Sequence, residues 1–551
     1  MFFNPIIQEI QAVTTPLPRS QRVLTEVLDA AVRAHPQRVF LQFGERAVSY
    51  AEFDDLAARA AAGLRAAGMQ AGARLAILTR NCLEFVVAWF GAAKAGLIYV
   101  PLNTEYKGAV LAWQLKLSGA SHIVTEAAYV ERLAAIAAET PGLRQIFLLG
   151  GGAAQVQSQP FVISHFDDLL AFPPLVDAPK QAHSDALALS FTSGTSGPSK
   201  GVLGTHCHVI TFAQDWMRSV GFQPGSAIYT PLPLFHAIAA WLGVVPALLA
   251  GGRITIAERF SASGYWDDVR RSQADVVHGV FSMVPMLMKQ PPRADDADQP
   301  AQRLYLAKYD EAFEARFNCR PIEVFGSTET GIVTMTPPGE KAPAGSCGKL
   351  NRETFEMIIA DGDDEPVACG VVGEILVRAR QPFGMFNEYY GAPTETVAAW
   401  RNQWFHTGDN ARADADGWIY FTDRKKDAIR RRGENISSWE VESVLLRHEA
   451  VLECAIVAVS SEVGEDDVKA VIVPRPGMSP EPVDIWKFCD EQMPRFWVPR
   501  FIEFRAELPK TPNHKVQKHL LRAAHGEAGT QVHERQPPAA PLRSGAGHAA
   551  G

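Results

Sequence analysis

A chain of 551 residues is too long for one ordinary core, and length alone points to roughly three to four folding units. With 47% hydrophobic and 21% charged residues it reads as a globular chain rather than a disordered one. A formal net charge of -8 argues against a nucleic-acid-binding surface as its main business and leaves small molecules as the expected partners. The seven cysteines stand apart with no CxxC pair, which implies a reduced, cytoplasmic setting. His206, Cys207 and His208 are metal-ligating types, but no second cluster accompanies them, so packing or a helix start is expected there. Residues 1–19 lack the basic segment, apolar core and cleavage site of a secretion signal. The most apolar stretch, 237–250, is interrupted by Gly243 and Pro246 and falls short of the ~20 residues a membrane span needs, so a core helix is expected.

In chain order, Ser49 and Glu52 form a capping box before an Ala/Leu-rich helix over 50–67, with Gly68 as its left-handed stop. Strand 74–78, helix 84–95 closed by Gly96 and strand 97–100 follow, then helix 110–117, strand 122–125, helix 127–139 and strand 145–149. Such an alternating β/α order predicts doubly wound, mostly parallel sheets. Residues 150–174 read as a looser connection, 186–191 as a buried strand, and 253–256 and 276–281 as further strands. Short alternating runs with Gly and Asp-Gly turns over 348–380 predict a small antiparallel or barrel-like subdomain. The charged run 423–427 marks the strongest boundary, followed by a compact α+β piece: helix 439–447, strands 455–459 and 469–473, helix 483–492. The resulting division is an N-terminal domain over 1–423, a hinge at 424–427, a C-terminal lid domain over 428–525, and a disordered tail over 526–551 that is rich in Gly, Ala and Pro.

The stretch 192–201, TSGTSGPSKG, carries the chemistry. Three glycines and small hydroxyl residues after a buried strand leave backbone N–H groups and hydroxyls free to wrap a polyanion, with Lys200 as countercharge. The Walker spacing is absent, because no Ser or Thr follows Lys200. A Gly/Ser linker is the lesser alternative for this stretch, whereas Asp409 alone reads first as a turn residue, Glu329 as a solvated carboxylate and His236 as a loop histidine. What decides is order: the loop is followed by FGSTE at 325–329, WFHTGD at 404–409, Asp423-Arg424 with GENIS at 433–437, and PKTPNHK at 509–515.

These five signatures in this order resemble the acyl-adenylate-forming superfamily of acyl-CoA synthetases, peptide-synthetase adenylation domains and luciferases, over about residues 49–518. Within it the chain is most similar to the carnitine/crotonobetaine-CoA ligase group, through QPPRAD at 290–295, RGEN at 432–435 and FCDEQMPRFWVP at 488–499. The resemblance implies a large N-terminal domain followed by a small mobile one. It also implies a two-step ligase: a carboxylic acid and ATP form acyl-AMP and pyrophosphate, and the thiol of coenzyme A then displaces AMP.

By the same resemblance Thr192, Ser193, Gly194, Thr195, Ser196, Gly197 and Lys200 hold the phosphates, with Thr195 counted among the catalytic residues. Glu329 holds Mg2+, Thr328 contacts the α-phosphate, and Asp409 and Arg424 take the ribose. His236 is the gate beside the acyl channel, Lys515 the catalytic and nucleotide-contacting lysine, Lys426 the hinge and Gly433 the coenzyme A tunnel. Trp241, Phe281, Ser282, Met283, Tyr305 and Phe325 fall at the acyl pocket. Three departures stand out: Pro198-Ser199 replaces the usual order before Lys200, His514 replaces the glycine before Lys515, and 304–310 is short and lacks the glycines of the adenine-side loop. A stand-alone enzyme loading a separate carrier protein shares the first step, though no carrier domain follows residue 518; a silent scaffold would have eroded Lys200, Glu329, Asp409, Arg424 or Lys515, and none is eroded. The acid, the pathway and the oligomeric state stay open, a homo-oligomer included.

Overall fold

The computed structural model describes residues 16–150, 160–192, 198–280, 283–305, 309–424, 428–431, 434–461, 465–509, 516–523, 525 and 531–535. The chain divides into two compact units, Met1–Ala428 and Ile429–Gly551. In the first, strands Ile98–Pro101, Arg74–Leu78, His122–Glu126, Gln145–Leu149 and Val162–His165 pair in parallel in that spatial order. Ala186–Thr192 joins them in parallel at Ile98–Pro101, and Lys200–Thr205 and Glu388–Tyr389 then extend the sheet antiparallel. A second sheet runs Arg320–Ile322, Arg303–Tyr305, Val276–His278, Ala227–Thr230, Arg253–Ile256 and Val39–Phe43, all parallel, with Arg46–Ser49 antiparallel at its edge.

The helices between these strands form where the sequence marks them. Ser49 and Glu52 make the reciprocal capping box of helix Tyr50–Ala66, and Gly68 takes φ +88° beyond its end. Helix Leu83–Lys94 is apolar nearly all round and lies within the core. It crosses the Tyr50–Ala66 helix so closely that a Cβ on Gly91 would stand 2.8 Å from that of Ala60. The stretch between 150 and 174, expected as a loose connection, contains strand Val162–His165 and helix Phe166–Leu170. Both are too short for hydrophobic periodicity to reveal.

The apolar stretch 237–250 is a buried helical segment, but an irregular one: α over Ala237–Ala239, π over Ala240–Val244, and α again over Val245–Leu249. Pro246 has no N–H to return to the carbonyl four residues back, and the wide turn ends just before it. The small piece beyond residue 348 is an antiparallel five-stranded sheet of Phe355–Ala360, Gly373–Ala379, Trp404–Ala413, Trp400–Arg401 and Ile419–Arg424.

The second unit packs helices Ser438–Leu445 and Pro482–Gln492 with strands Val451–Ser460, Asp466–Pro474, Phe501–Phe504 and Val532–Glu534. The last of these corrects the reading of 526–551 as a wholly disordered tail. Val532–Glu534 pairs antiparallel with Phe501–Phe504, and ion pairs Arg500–Glu534 and Arg535–Asp490 hold its end. Composition misses it because three residues carry no pattern.

His206, Cys207 and His208 open the buried helix His206–Val220, where Thr205 caps by accepting from the His208 backbone N–H. His206 Nδ1 accepts from the Leu24 backbone N–H at 3.0 Å. Burial pushes the His206 imidazole down to about 4 and those of His208 and His278 down to about 3. All three are therefore neutral in the folded chain, whereas the unfolded chain protonates them below about pH 6.5. Between about pH 6.5 and 4 the unfolded state binds more protons, so these groups lower stability as pH falls, by up to about 1.4 kcal/mol per pH unit each. Buried Asp215, pushed up to about 6 by desolvation, has the opposite sign between its unfolded value and 6 and offsets one of them. The urea midpoint should accordingly fall on acidification through this window, and His208→Leu should flatten the dependence; a midpoint that rises towards pH 4 would contradict the assignment.

Candidate active site

Three segments meet at the two described ends of the glycine-rich loop 192–201. The hairpin register pairs Thr192 with Lys200, so the two ends of the loop stand side by side. Ser193, Gly194, Thr195, Ser196 and Gly197 lie outside the described residues. The exit of the loop is fastened by helix Gly108–Ser118: Trp113 Nε1 donates to the Ser199 carbonyl at 3.1 Å, and Gln114 Nε2 to Ser199 Oγ at 3.4 Å.

The second segment is the turn between strands Val324–Ser327 and Gly331–Met335, which carries Thr328 and Glu329. Ser327 and Thr330 cap each other across it, each backbone N–H donating to the other's hydroxyl oxygen. A Cβ on Gly326 would stand 2.0 Å from the Gly331 carbonyl oxygen, so the tight crossing requires glycine. The Thr192 hydroxyl then donates to Glu329 Oε1 at 3.2 Å.

The third segment is the edge strand Glu388–Tyr389, which sets Tyr389 opposite Val202. The Tyr389 hydroxyl donates to the same Glu329 Oε1 at 3.2 Å, and Lys200 Nζ sits 4.4 Å from the centre of its ring. Burial, and then the neighbouring Glu329 carboxylate, push this phenol far above its usual range, so it stays protonated and can donate.

A carboxylate with one threonine and one tyrosine hydroxyl on it is an oxygen donor set, the kind a hard cation takes. Among the described residues no group of three or more His, Cys, Asp or Glu side chains is arranged to hold a metal. One carboxylate completed by substrate phosphates fits Mg2+, which binds in that way rather than in an all-protein cage.

Asp409 is buried and stands directly opposite Arg424 in the antiparallel register of Trp404–Ala413 with Ile419–Arg424. Its bend is built locally. Gly408 adopts φ +75°, its N–H donates to Glu374 Oε1 at 3.0 Å, and the Asp409 N–H donates to the Thr407 hydroxyl at 3.1 Å. His236 is half-buried, with its ring 4.6 Å from that of Phe235. The loop before it is clamped by Asn81, whose side chain donates to the Leu232 carbonyl and accepts from the Leu234 N–H.

Trp241 and Tyr305 are buried walls. Trp241 donates Nε1 to the Tyr99 hydroxyl and meets the His208 and Phe212 rings edge to face. Tyr305 packs against Trp216 and His278, and Phe325 is half-buried against Phe421. Met283 begins a short buried helical turn. Phe281, Ser282, Lys426, Gly433 and Lys515 lie outside the described residues.

The motif reading names Thr192, Lys200 and Glu329, which the structure brings together, Thr328, which sits beside Glu329 in the turn, and Asp409 and Arg424, which stand opposite each other. It misses Tyr389, Ser199, Glu374 and Asn81. For Glu374 a signal existed, a carboxylate at an inward position of the apolar strand Gly373–Ala379. Tyr389 offered none, because its strand is two residues long.

The chain matches the AMP-binding enzyme family over residues 28–390 and the AMP-binding enzyme C-terminal domain over 440–515, and it belongs to that family. The crotonobetaine/carnitine–CoA ligase of Salmonella choleraesuis (strain SC-B67) is 32% identical over 488 residues, 87% of this chain and 93% of that protein. Two solved structures share the fold. The o-succinylbenzoate CoA synthetase of Bacillus subtilis aligns over 92% of this chain and 99% of its own with TM-score 0.78 and 23% identity. The amide bond synthetase McbA of Marinactinospora thermotolerans aligns over 91% and 99% with TM-score 0.79 and 22% identity. Family and relatives together make this chain an AMP-forming acyl-CoA synthetase, of a family that uses ATP and coenzyme A as substrates.

Glu374 gives a direct check on the geometry. Glu374→Leu leaves the Gly408 N–H without its acceptor and should cost about 1–3 kcal/mol of stability while raising KM for ATP. Glu374→Gln, which keeps an acceptor oxygen, should retain most of both in denaturant and ATP titrations.

Proposed function

We propose that the enzyme activates a small-molecule carboxylic acid with ATP as an acyl-AMP and then transfers the acyl group to coenzyme A, releasing AMP. The observation that carries this reading is the convergence of Thr192, Lys200 and Glu329 at the mouth of the glycine-rich loop. A pyrophosphate leaving group needs a cation, a lysine and loop hydroxyls on one side, and the sequence supplies Ser193, Thr195 and Ser196 between the two described ends. Mg2+ held by Glu329 would offset charge on the phosphates. Thr328, beside Glu329 in the turn, contacts the α-phosphate. Asp409, facing Arg424 across the strand pair, accepts the ribose hydroxyls while Arg424 donates.

The division of labour along the chain belongs to the same proposal. Lys515 acts in adenylation, Gly433 lines the path of the thiol, Lys426 is the hinge, and His236 gates the acyl channel. Lys515→Ala should slow acyl-AMP formation by about a hundredfold or more, the effect of losing a preorganised charge worth on the order of 3 kcal/mol, and should leave transfer from supplied acyl-AMP largely intact. Gly433→Leu should do the reverse. Equal impairment of both half-reactions in both variants would contradict the assignment.

Carnitine and crotonobetaine, the acids in the relatives' name, are the first to test. A trimethylammonium group would be held by cation–π contacts of about 0.5–2 kcal/mol. Trp241 and Tyr305 have their surfaces occupied by neighbouring rings, so such a contact falls to Phe281 or the half-buried Phe325. A panel of acids assayed for pyrophosphate release with and without coenzyme A reads this out. Turnover of a neutral acid of similar size as fast as carnitine would remove the cationic substrate. The carrier-loading alternative predicts that added coenzyme A fails to accelerate turnover. A cytoplasmic setting completes the proposal, its support being seven free cysteines.

A further inference from the structure

The geometry points to Tyr389 as a positioning residue that couples the metal-binding carboxylate to the phosphate lysine, and we propose this as its function. Its hydroxyl and that of Thr192 converge on one oxygen of Glu329, each at 3.2 Å. Two donors on Oε1 fix the plane of the carboxylate and direct its second oxygen as the ligand. The aromatic face of the same residue receives Lys200 Nζ at 4.4 Å. One side chain therefore bears on both groups that meet the phosphates, through two separable chemistries.

Tyr389 can serve in this way because its own position is over-determined. The residue is 6% exposed and backbone-paired with Val202. The Tyr390 N–H donates to the Gly201 carbonyl, so the pairing continues to the residue beside Lys200. Behind the ring, Phe386 packs at 5.0 Å between centroids, and the Phe386 N–H donates to the Glu329 carbonyl at 2.9 Å. The edge strand and the metal-side turn are thereby tied through backbone as well as side chain.

This inference rests on the reading of Glu329 as the Mg2+ ligand, and its test separates the two. In the full-length protein, Mn2+ affinity is measured by the electron spin resonance of free Mn2+ in the presence of a non-hydrolysable ATP analogue. ATP affinity is measured separately by calorimetry in EDTA. Tyr389→Phe keeps the ring and removes the donor, so Mn2+ should bind about three- to tenfold more weakly, as for loss of one hydrogen bond that reaches the metal only through the carboxylate, with ATP affinity in EDTA unchanged. Tyr389→Leu removes both contacts, and should additionally weaken ATP in EDTA by about threefold, the size of one exposed cation–π contact. Wild-type Mn2+ affinity in Tyr389→Phe, with Glu329→Gln having lost it, would overturn the positioning role while leaving Glu329 as the ligand. Wild-type Mn2+ affinity in Glu329→Gln would overturn the metal assignment and the hydroxyl half of the proposal with it; the EDTA titration then still decides the Lys200 half. A uniform fall in every affinity with a lowered urea midpoint would reduce Tyr389 to a structural residue and overturn the proposal.

Discussion

One oxygen of Glu329 accepts hydroxyls from Thr192 and Tyr389, and this shared acceptor ties three stretches of chain that are remote in sequence. Each stretch arrives by a separate local device: the loop hairpin by its Thr192–Lys200 register, the turn that carries Glu329 by the Ser327–Thr330 caps, and the edge strand by pairing with the hairpin. An anion that accepts two hydrogen bonds while partly withdrawn from water is well defined in orientation. Under the proposed function, the frame at the described ends of the loop, including the hold of Trp113 and Gln114 on Ser199, would supply the preorganisation that phosphate chemistry requires.

Trp241 and Tyr305, which family resemblance places at the acyl pocket, are held by the opposite means: they belong to a packed layer with Trp216, His208, Phe212 and His278, in which the histidines are kept neutral by burial. The π stretch Ala240–Val244 brings Trp241 into this layer just after His236, and Pro246 closes it. Irregular helical turns of this kind recur at functional sites because they re-aim side chains that a regular turn would place elsewhere.

How much of this could be read from residues alone follows from the range of each signal. The capping box at Ser49, the alternation of strands and helices, and the motifs around Glu329 and Asp409 are local patterns, and they were legible. Motif order named Thr192 and Glu329 without showing that the one hydroxyl donates to the other. Tyr389 was not legible, because its meaning lies in a partner 60 residues away and its strand has no period. Nor was the clamp of Asn81 on the His236 loop, about 150 residues distant. The Val532–Glu534 strand was hidden for a different reason: a three-residue edge strand takes its order from the sheet it joins, and composition around it speaks only for the neighbours.

Central to the proposed function is acid activation through an acyl-adenylate at the Thr192–Lys200–Glu329 cluster. It is tested most directly by exchange of radiolabelled pyrophosphate into ATP, measured with the cognate acid and Mg2+ but without coenzyme A. An adenylating enzyme should catalyse exchange that depends on the acid and disappears in Lys200→Ala. Exchange that requires coenzyme A, or ATP cleavage to ADP and phosphate, would contradict it.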